Sequence, residues 1–181
     1  MMRKIVWLTA LGLIMVVTGC SSIPPKKDTP MASYTNLIVR PINWHDTSVD
    51  KISGNETKDF VEAQPKLSNL FQEEFKKNIT KIEYFTNVSF GDGPADANTL
   101  ILEPRIASLD PGIRMVMPGT ATYLGVLKTA EGKEVAKYSA RRTVGRQVWT
   151  TMMGAIEDLT KELGEDAASE LPKATVSGLV N

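Results

Sequence analysis

The sequence predicts an α/β domain of two layers, a mixed sheet with two amphipathic helices on one face. Three observations point there. Leu37-Ile38-Val39 is a short, continuously apolar run of strand-forming residues, the pattern of a strand covered on both sides. Leu67, Leu70, Phe71, Phe75, Ile79 and Ile82 recur at steps of three and four, which sets them along one face of a helix. A second stripe, Trp149, Met152, Met153, Ile156, Leu159 and Leu163, extends to Ala167 and Leu171. Two such helices need a single sheet face to cover them, so both are expected on the same side.

The elements follow in order. Pro41 stops the first strand, and the polar stretch from Asn43 to Asp59, with Gly54, reads as a loop. Pro65 fits the first turn of the helix that follows, where its missing N–H costs nothing. Tyr84 to Phe90 alternates Phe85, Val88 and Phe90 imperfectly with polar residues and predicts a strand; Gly91-Asp92-Gly93-Pro94 predicts a turn. Leu100-Ile101-Leu102 opens a strand to about Leu109, broken by Asp110-Pro111-Gly112. Thr120 to Thr129 is a strand with Ala121, Tyr123, Gly125 and Leu127 on one face and Val126 on the other. Ala130-Glu131-Gly132-Lys133 turns the chain into a partner strand, Glu134 to Val144, whose apolar members are Val135, Tyr138 and Ala140. The last helix is expected from about Val148 to Leu171, ended by Pro172. The first strand–helix–strand unit should cross over right-handed and make two strands parallel. The later strands, joined by turns, should be antiparallel.

Ahead of this domain stands a leader. Arg3 and Lys4 precede an apolar run from Ile5 to Val17, and small residues lead into Cys20, the only cysteine of the chain. A basic start, an apolar centre and a small-residue cleavage site make a secretory signal peptide. The run is shorter than the ~20 residues that span a bilayer. Val17-Thr18-Gly19-Cys20 resembles a bacterial lipobox. That resemblance implies cleavage between Gly19 and Cys20, diacylglycerol on the Cys20 sulfur and a further acyl group on the new amine. One acyl chain binds a bilayer only marginally, so several are needed for a durable hold. Ser21 stands where an Asp usually keeps such Gram-negative lipoproteins at the inner membrane, so the resemblance implies the outer membrane, facing the periplasm. The expected organisation is a signal peptide over 1–19, a lipid-anchored tether over 20–34 with Pro24, Pro25 and Pro30, a globular α/β domain over 35–172 and a tail over 173–181.

The segment from Leu100 to Leu171 is similar to a family of uncharacterised bacterial lipoproteins, whose hairpin has the form Gly-x-Ala-x-x-x-x-Val-x-Leu-x-x-x-x-Gly-x-x-Val. Here Gly119, Ala121, Val126, Leu127 (one place early), Gly132 and Val135 stand at those positions. The strand order also resembles that of the envelope lipoproteins LpoB and CsgG and of the TolB N-terminal domain. These similarities imply a protein that works by binding others in the envelope.

Composition narrows the chemistry. Of 21 basic residues Arg3 and Lys4 belong to the leader, leaving 19 against 21 acidic ones. Nucleic-acid binding needs a basic excess, so no nucleic-acid partner is expected. With Cys20 taken by lipid, no thiol remains for a disulfide, a nucleophile or a zinc cluster. His45, the only histidine, sits beside Asp46 in a polar stretch, and no Gly-x-Ser-x-Gly elbow, Walker loop or His-x-x-x-His accompanies it. Glu73-Glu74 and Glu165-Asp166 read as solvated charges on helix surfaces. No enzymatic activity and no cofactor are expected. Met115 and Met117 between two Pro-Gly breaks, with Met152-Met153, leave open either a soft-metal site of the kind that suits Cu(I) or ordinary gap-filling.

Two surfaces are candidates for a partner. Ile113, Arg114, Met115, Val116 and Met117 form an apolar segment with one charge between chain breakers; exposed, it would mark an interaction site, and buried, it would be a short strand. Arg141, Arg142 and Arg146 form a basic cluster that could meet lipid phosphates or an acidic partner, or be surface charge without a role. The expected function is a lipid-anchored periplasmic binding or scaffolding protein, held to the membrane through Cys20 and contacting an envelope protein through a sheet edge, the 113–117 segment or both. A soft-metal or small-ligand carrier and an enzyme using His45 are the alternatives.

Overall fold

The computed structural model describes residues 26–113, 116–144 and 151–176. Within them the chain forms β1 (Asn36–Val39), β2 (Ser48–Val49), α1 (Asn55–Ile82), β3 (Asn87–Phe90), β4 (Thr99–Asp110), β5 (Gly119–Lys128), β6 (Glu134–Val144), α2 (Met152–Glu170) and β7 (Thr175–Val176). The seven strands make one mixed sheet in the order β3-β1-β4-β5-β6-β7, with β2 beside β4. Side chains of α1 and α2 share one core with a single face of the sheet, as expected.

β1 shows why its sequence is apolar throughout. It is parallel to β3 on one side and to β4 on the other, and Leu37, Ile38 and Val39 are all buried. Leu37 and Val39 join the core under the helices, whereas Ile38 is buried outside it. β1 and β3, either side of α1 in the chain, pair in parallel as expected. The strands β3 and β4, however, are not an antiparallel pair joined by a turn. Both run parallel to β1, which lies between them. Residues 91–98 must therefore return along β1, and Gly93 packs over Ile38, a Cβ at that glycine lying 3.7 Å from Ile38 Cδ1. That return dries the face of β1 turned away from the helices.

From β4 onward the pairing is antiparallel and the alternation regular. In β5 the buried residues are Gly119, Ala121, Tyr123, Gly125 and Leu127, the face read from the sequence. In β6 the inward set is Ala136, Tyr138, Ala140 and Val144; Val135 lies one residue out of phase with it and is half-buried.

α1 begins at Asn55, so Pro65 lies inside the helix and not in its first turn. The ring supplies no N–H to the carbonyl of Val61. Tertiary contacts hold the two turns ahead of it. Phe60 is buried edge-on against Trp44, with ring centroids 5.7 Å apart, and Trp44 Nε1 donates to Ser68 Oγ at 2.9 Å. The stretch expected as a loop thus contributes a half-buried aromatic packed against the core, and Ser48–Val49 pair with Ser108 and Leu109 of β4.

The ends of the domain also reach further than expected. Lys26–Asp28 is a 3-10 turn, Met31 is fully buried, and Lys26 Nζ donates to the Tyr34 carbonyl at 2.5 Å while lying 5.0 Å from the Phe85 ring centre. Burial lowers the Lys26 pKa. The expected tether is therefore folded from residue 26, because burying one methionine side chain yields roughly 2 kcal/mol. At the other end Thr175 and Val176 pair with Lys137 and Ala136, so the described part of the expected tail belongs to the sheet.

Two glycines let the layers close. A Cβ at Gly164 would lie 2.5 Å from the Phe71 carbonyl oxygen, and one at Gly125 would lie 2.4 Å from Tyr138 Cε1. Gly164→Ala is expected to destabilise the domain by about 1–3 kcal/mol, the usual range for overpacking, measured by denaturant unfolding. The Tyr123 and Tyr138 hydroxyls share a buried hydrogen bond of 3.0 Å, and burial raises both pKa values. Their contribution is complete below the ordinary tyrosine value and falls once the unfolded chain ionises. Stability should drop by about 1 kcal/mol per tyrosine for each pH unit above ~10. The slope should lose that part in a Tyr123→Phe, Tyr138→Phe double variant, read as unfolding free energy against pH.

Candidate functional site

β4 and β5 leave the sheet together at the pair Asp110–Thr120. The connection between them is built as a neck and a tip. At the neck, Asp110 Oδ1 accepts the Gly112 N–H at 2.8 Å, and its two carboxylate oxygens take Lys51 Nζ at 2.5 and 2.6 Å. The Asp50 N–H donates to the Leu109 carbonyl at 2.9 Å, so the chain after β2 braces the same point. Gly112 has a φ of 76°, and a Cβ there would lie 2.4 Å from the Met117 carbonyl oxygen. Only glycine lets the two arms of the neck come this close. Gly119 is wedged likewise, a Cβ meeting Asp110 O, Pro111 O and Leu159 Cδ1 at 3.1 Å each.

Beyond the neck, Ile113 N–H donates to Met117 O at 3.1 Å and Met117 N–H to Ile113 O at 2.9 Å, closing a short loop. Its apolar side chains face outward: Ile113, Val116 and Met117 are 44%, 60% and 45% exposed. They are half of the six large apolar residues exposed among the described residues. Of the two readings open to the sequence, an exposed surface holds for these three. Arg114 and Met115 lie outside the described residues, as do Gly19, Cys20 and Arg146.

Arg141 and Arg142, the described members of the second expected surface, do not lie together. Successive strand residues point to opposite faces, which separates Arg141 from Arg142. Arg141 is exposed on the outer face, opposite Thr122. Arg142 points inward to α2, its Nε donating to Glu162 Oε2 at 2.7 Å and its Nη1 to Asp166 Oδ1 at 3.0 Å. Burial acts to lower the Arg142 pKa, but the hydrogen bond to Glu162 and the carboxylates of Asp166, Glu162 and Glu165 outweigh it and raise it. For Asp166 the balance is reversed, burial outweighing Arg142 and lifting its carboxyl above the ordinary value. The geometry supports a charged pair, two hydrogen bonds tying β6 to α2. Asp166 is thus a structural partner and not a solvated charge.

The remaining chemical candidates are scattered. His45 is 84% exposed in its side chain and lies 3.3 Å from Asp46 Oδ1. Met152 and Met153 are half-buried in the first turn of α2, Met153 against the core. Glu74 lies within ion-pair distance of Lys77 and Lys161. Among the described residues no group of three His, Cys, Asp or Glu is placed to hold a metal ion, and no helix is long and apolar enough to cross a membrane. An open cleft of about 500 Å³ lies where residues 92–96 return over β1, lined in part by Asn36, Asn87, Ser89 and Asp96. Asp96 is committed to its own turn: the Thr99 hydroxyl at 2.5 Å, and next the Asn98 N–H, hold its carboxyl below the ordinary range. Sequence reading missed Lys51 and Asp110 as the brace of the neck. An Asp directly before Pro-Gly is the available signal, since such a side chain commonly takes the N–H two residues on.

No protein-family model matches the chain, and no curated protein does. Among solved structures it is similar to the PelC dodecamer from Paraburkholderia phytofirmans, at 9% identity over 74% of this chain and 89% of that chain, with a TM-score of 0.43. It is similar to a DUF330 protein from Xanthomonas campestris, at 12% identity over 80% of this chain and 85% of that chain, TM-score 0.45. A minor lipoprotein from Acinetobacter baumannii aligns at 10% identity over 80% of this chain and 98% of that chain, TM-score 0.39. All three scores lie below 0.5, so these likenesses assign neither a family nor a function, and they leave the similarity to LpoB, CsgG and TolB untested.

Replacing both Val116 and Met117 by Ser is expected to leave stability within about 0.5 kcal/mol of the parent, as for exposed positions. Arg142→Ala should cost about 1–2 kcal/mol by leaving two half-buried carboxylates without their donor. Thermal and denaturant unfolding of the two variants side by side distinguishes a surface prong from a structural clip.

Proposed function

We propose that this chain is a lipid-anchored binding or scaffolding protein of the bacterial outer membrane that faces the periplasm and works through contact with another envelope protein. The observation that carries the reading is the prong: three large apolar side chains held out in water on a braced neck. Exposed apolar clusters of this kind mark interaction sites, and a rigid support lowers the entropy lost when a partner covers them. The lipobox-like Val17-Thr18-Gly19-Cys20 supplies the anchor. Confinement at the membrane raises the effective concentration of the prong, which makes a modest contact sufficient. The role is non-enzymatic on this reading.

The test is a photo-reactive amino acid in place of Val116 in intact cells, followed by mass spectrometry of what is captured. One specific envelope protein should be captured by the anchored chain, and lost when Met117 is also changed to Ser or when Cys20→Ala leaves the chain without lipid. Capture of the same abundant bystanders by all three forms would overturn the reading.

A further inference from the structure

The N-terminal entry to the described fold and the prong sit at opposite ends of the sheet. β1 and β4 run the same way, with Asn36 opposite Thr99, so the start of β4 marks the end where the N-terminal segment enters. α1 runs back along the sheet and finishes at this end, where Thr80, Glu83 and Phe85 line a cleft with Lys26. The prong leaves from Asp110, at the far end of a 12-residue strand. At ~3.3 Å per residue that separates the two ends by about 35 Å.

The chain outside the described fold is short. Five residues, 21–25, stand between Cys20 and Lys26. Fully extended, that stretch spans at most about 20 Å. The Cys20 lipid therefore reaches the bilayer from the α1 end and cannot reach round to the prong. The surface there carries charge of both signs. Lys27, Lys76, Lys77 and Lys81 are exposed, and so are Asp28, Glu73, Glu83 and, beside the start of β4, Asp96. Glu74, half-buried, takes Lys77 at 3.2 Å.

We infer that the end of the domain formed by Lys26–Asp28 and the last turns of α1 lies against phospholipid headgroups, and that the prong is held away from its own bilayer. The occupant of this end is the lipid surface that holds the anchor: the chain enters there, and five residues are too few to carry it to another face. The prong then meets its partner on the periplasmic side, beyond the headgroup layer. This inference rests on the lipid anchor of the proposed function.

The test uses the full lipidated chain. With Cys20 blocked by acylation, an introduced cysteine is the only free thiol, and a fluorophore is placed at Lys81→Cys or at Val116→Cys. Both are reconstituted into phosphatidylethanolamine–phosphatidylglycerol vesicles containing a lipid with a spin-labelled headgroup. Quenching should be several-fold stronger at position 81 than at position 116. Equal or stronger quenching at position 116 overturns the orientation. Flotation is read first on the same samples. A chain that does not float with vesicles fails the anchor reading itself, and this inference with it.

Discussion

Phe71 is the point at which every layer of the domain meets. Its ring stacks on Phe75 at 5.9 Å along α1 and on Tyr123 of β5 at 5.4 Å; Tyr123 in turn lies 5.4 Å from Tyr138 of β6. The same residue's backbone is what α2 approaches at Gly164. One helix, two strands and the second helix are thus fixed by a single column of rings. Aromatic side chains bury more area than any others, and offset pairs add to that burial. With Cys20 as its only cysteine, the chain has no internal disulfide to share the load. The packing of this column has to be close, and the two glycines that permit it are part of the same constraint.

The column leaves the other sheet face to water over β4 to β6. Leu124 is 38% exposed there, among Thr122, Ser139, Lys137 and an ion pair between Glu103 and Lys128 at 2.5 Å. Such a face needs no cover, and antiparallel sheets often have one. The parallel part is different. β1 is apolar on both sides, and the two α-helices of the described residues are both already used on the core face. The return of residues 91–98 over Ile38 resolves this with a loop where many parallel sheets use a helix. That solution sets the strand order, which in turn places the N-terminal entry and the prong at opposite ends.

Polar contacts in this domain mainly hold elements in place. Arg142 ties the last long strand to α2, Lys51 and Asp110 brace the neck, and the tyrosine pair satisfies its own hydroxyls. What the domain offers outward is the apolar tip, shown to solvent because the neck is narrow. Gly112, at a φ of 76° and against the Met117 carbonyl, gives no room for the tip to fold back. Ile113, Val116 and Met117 are therefore kept outside by geometry and against the hydrophobic effect.

What the sequence by itself determined is what depends on local backbone geometry. The strands at 36–39, 119–128 and 134–144, both helices and the inward face of β5 follow from periods of two and 3.6 residues, which every chain carries in its own covalent structure. The lipobox-like pattern ending at Cys20 is also short and contiguous, and it stands as an expectation of the sequence alone. What only the tertiary structure decided depends on contacts between residues far apart in the chain. Pro65 is tolerated inside α1 because Trp44 holds Phe60. Met31 closes the expected tether because the core has a place for it. Arg141 and Arg142 part because one finds Glu162 and Asp166 on α2. The exposure of the 113–117 segment belongs to this second kind: its apolar residues suit a core or a surface equally, and only the neck settles which.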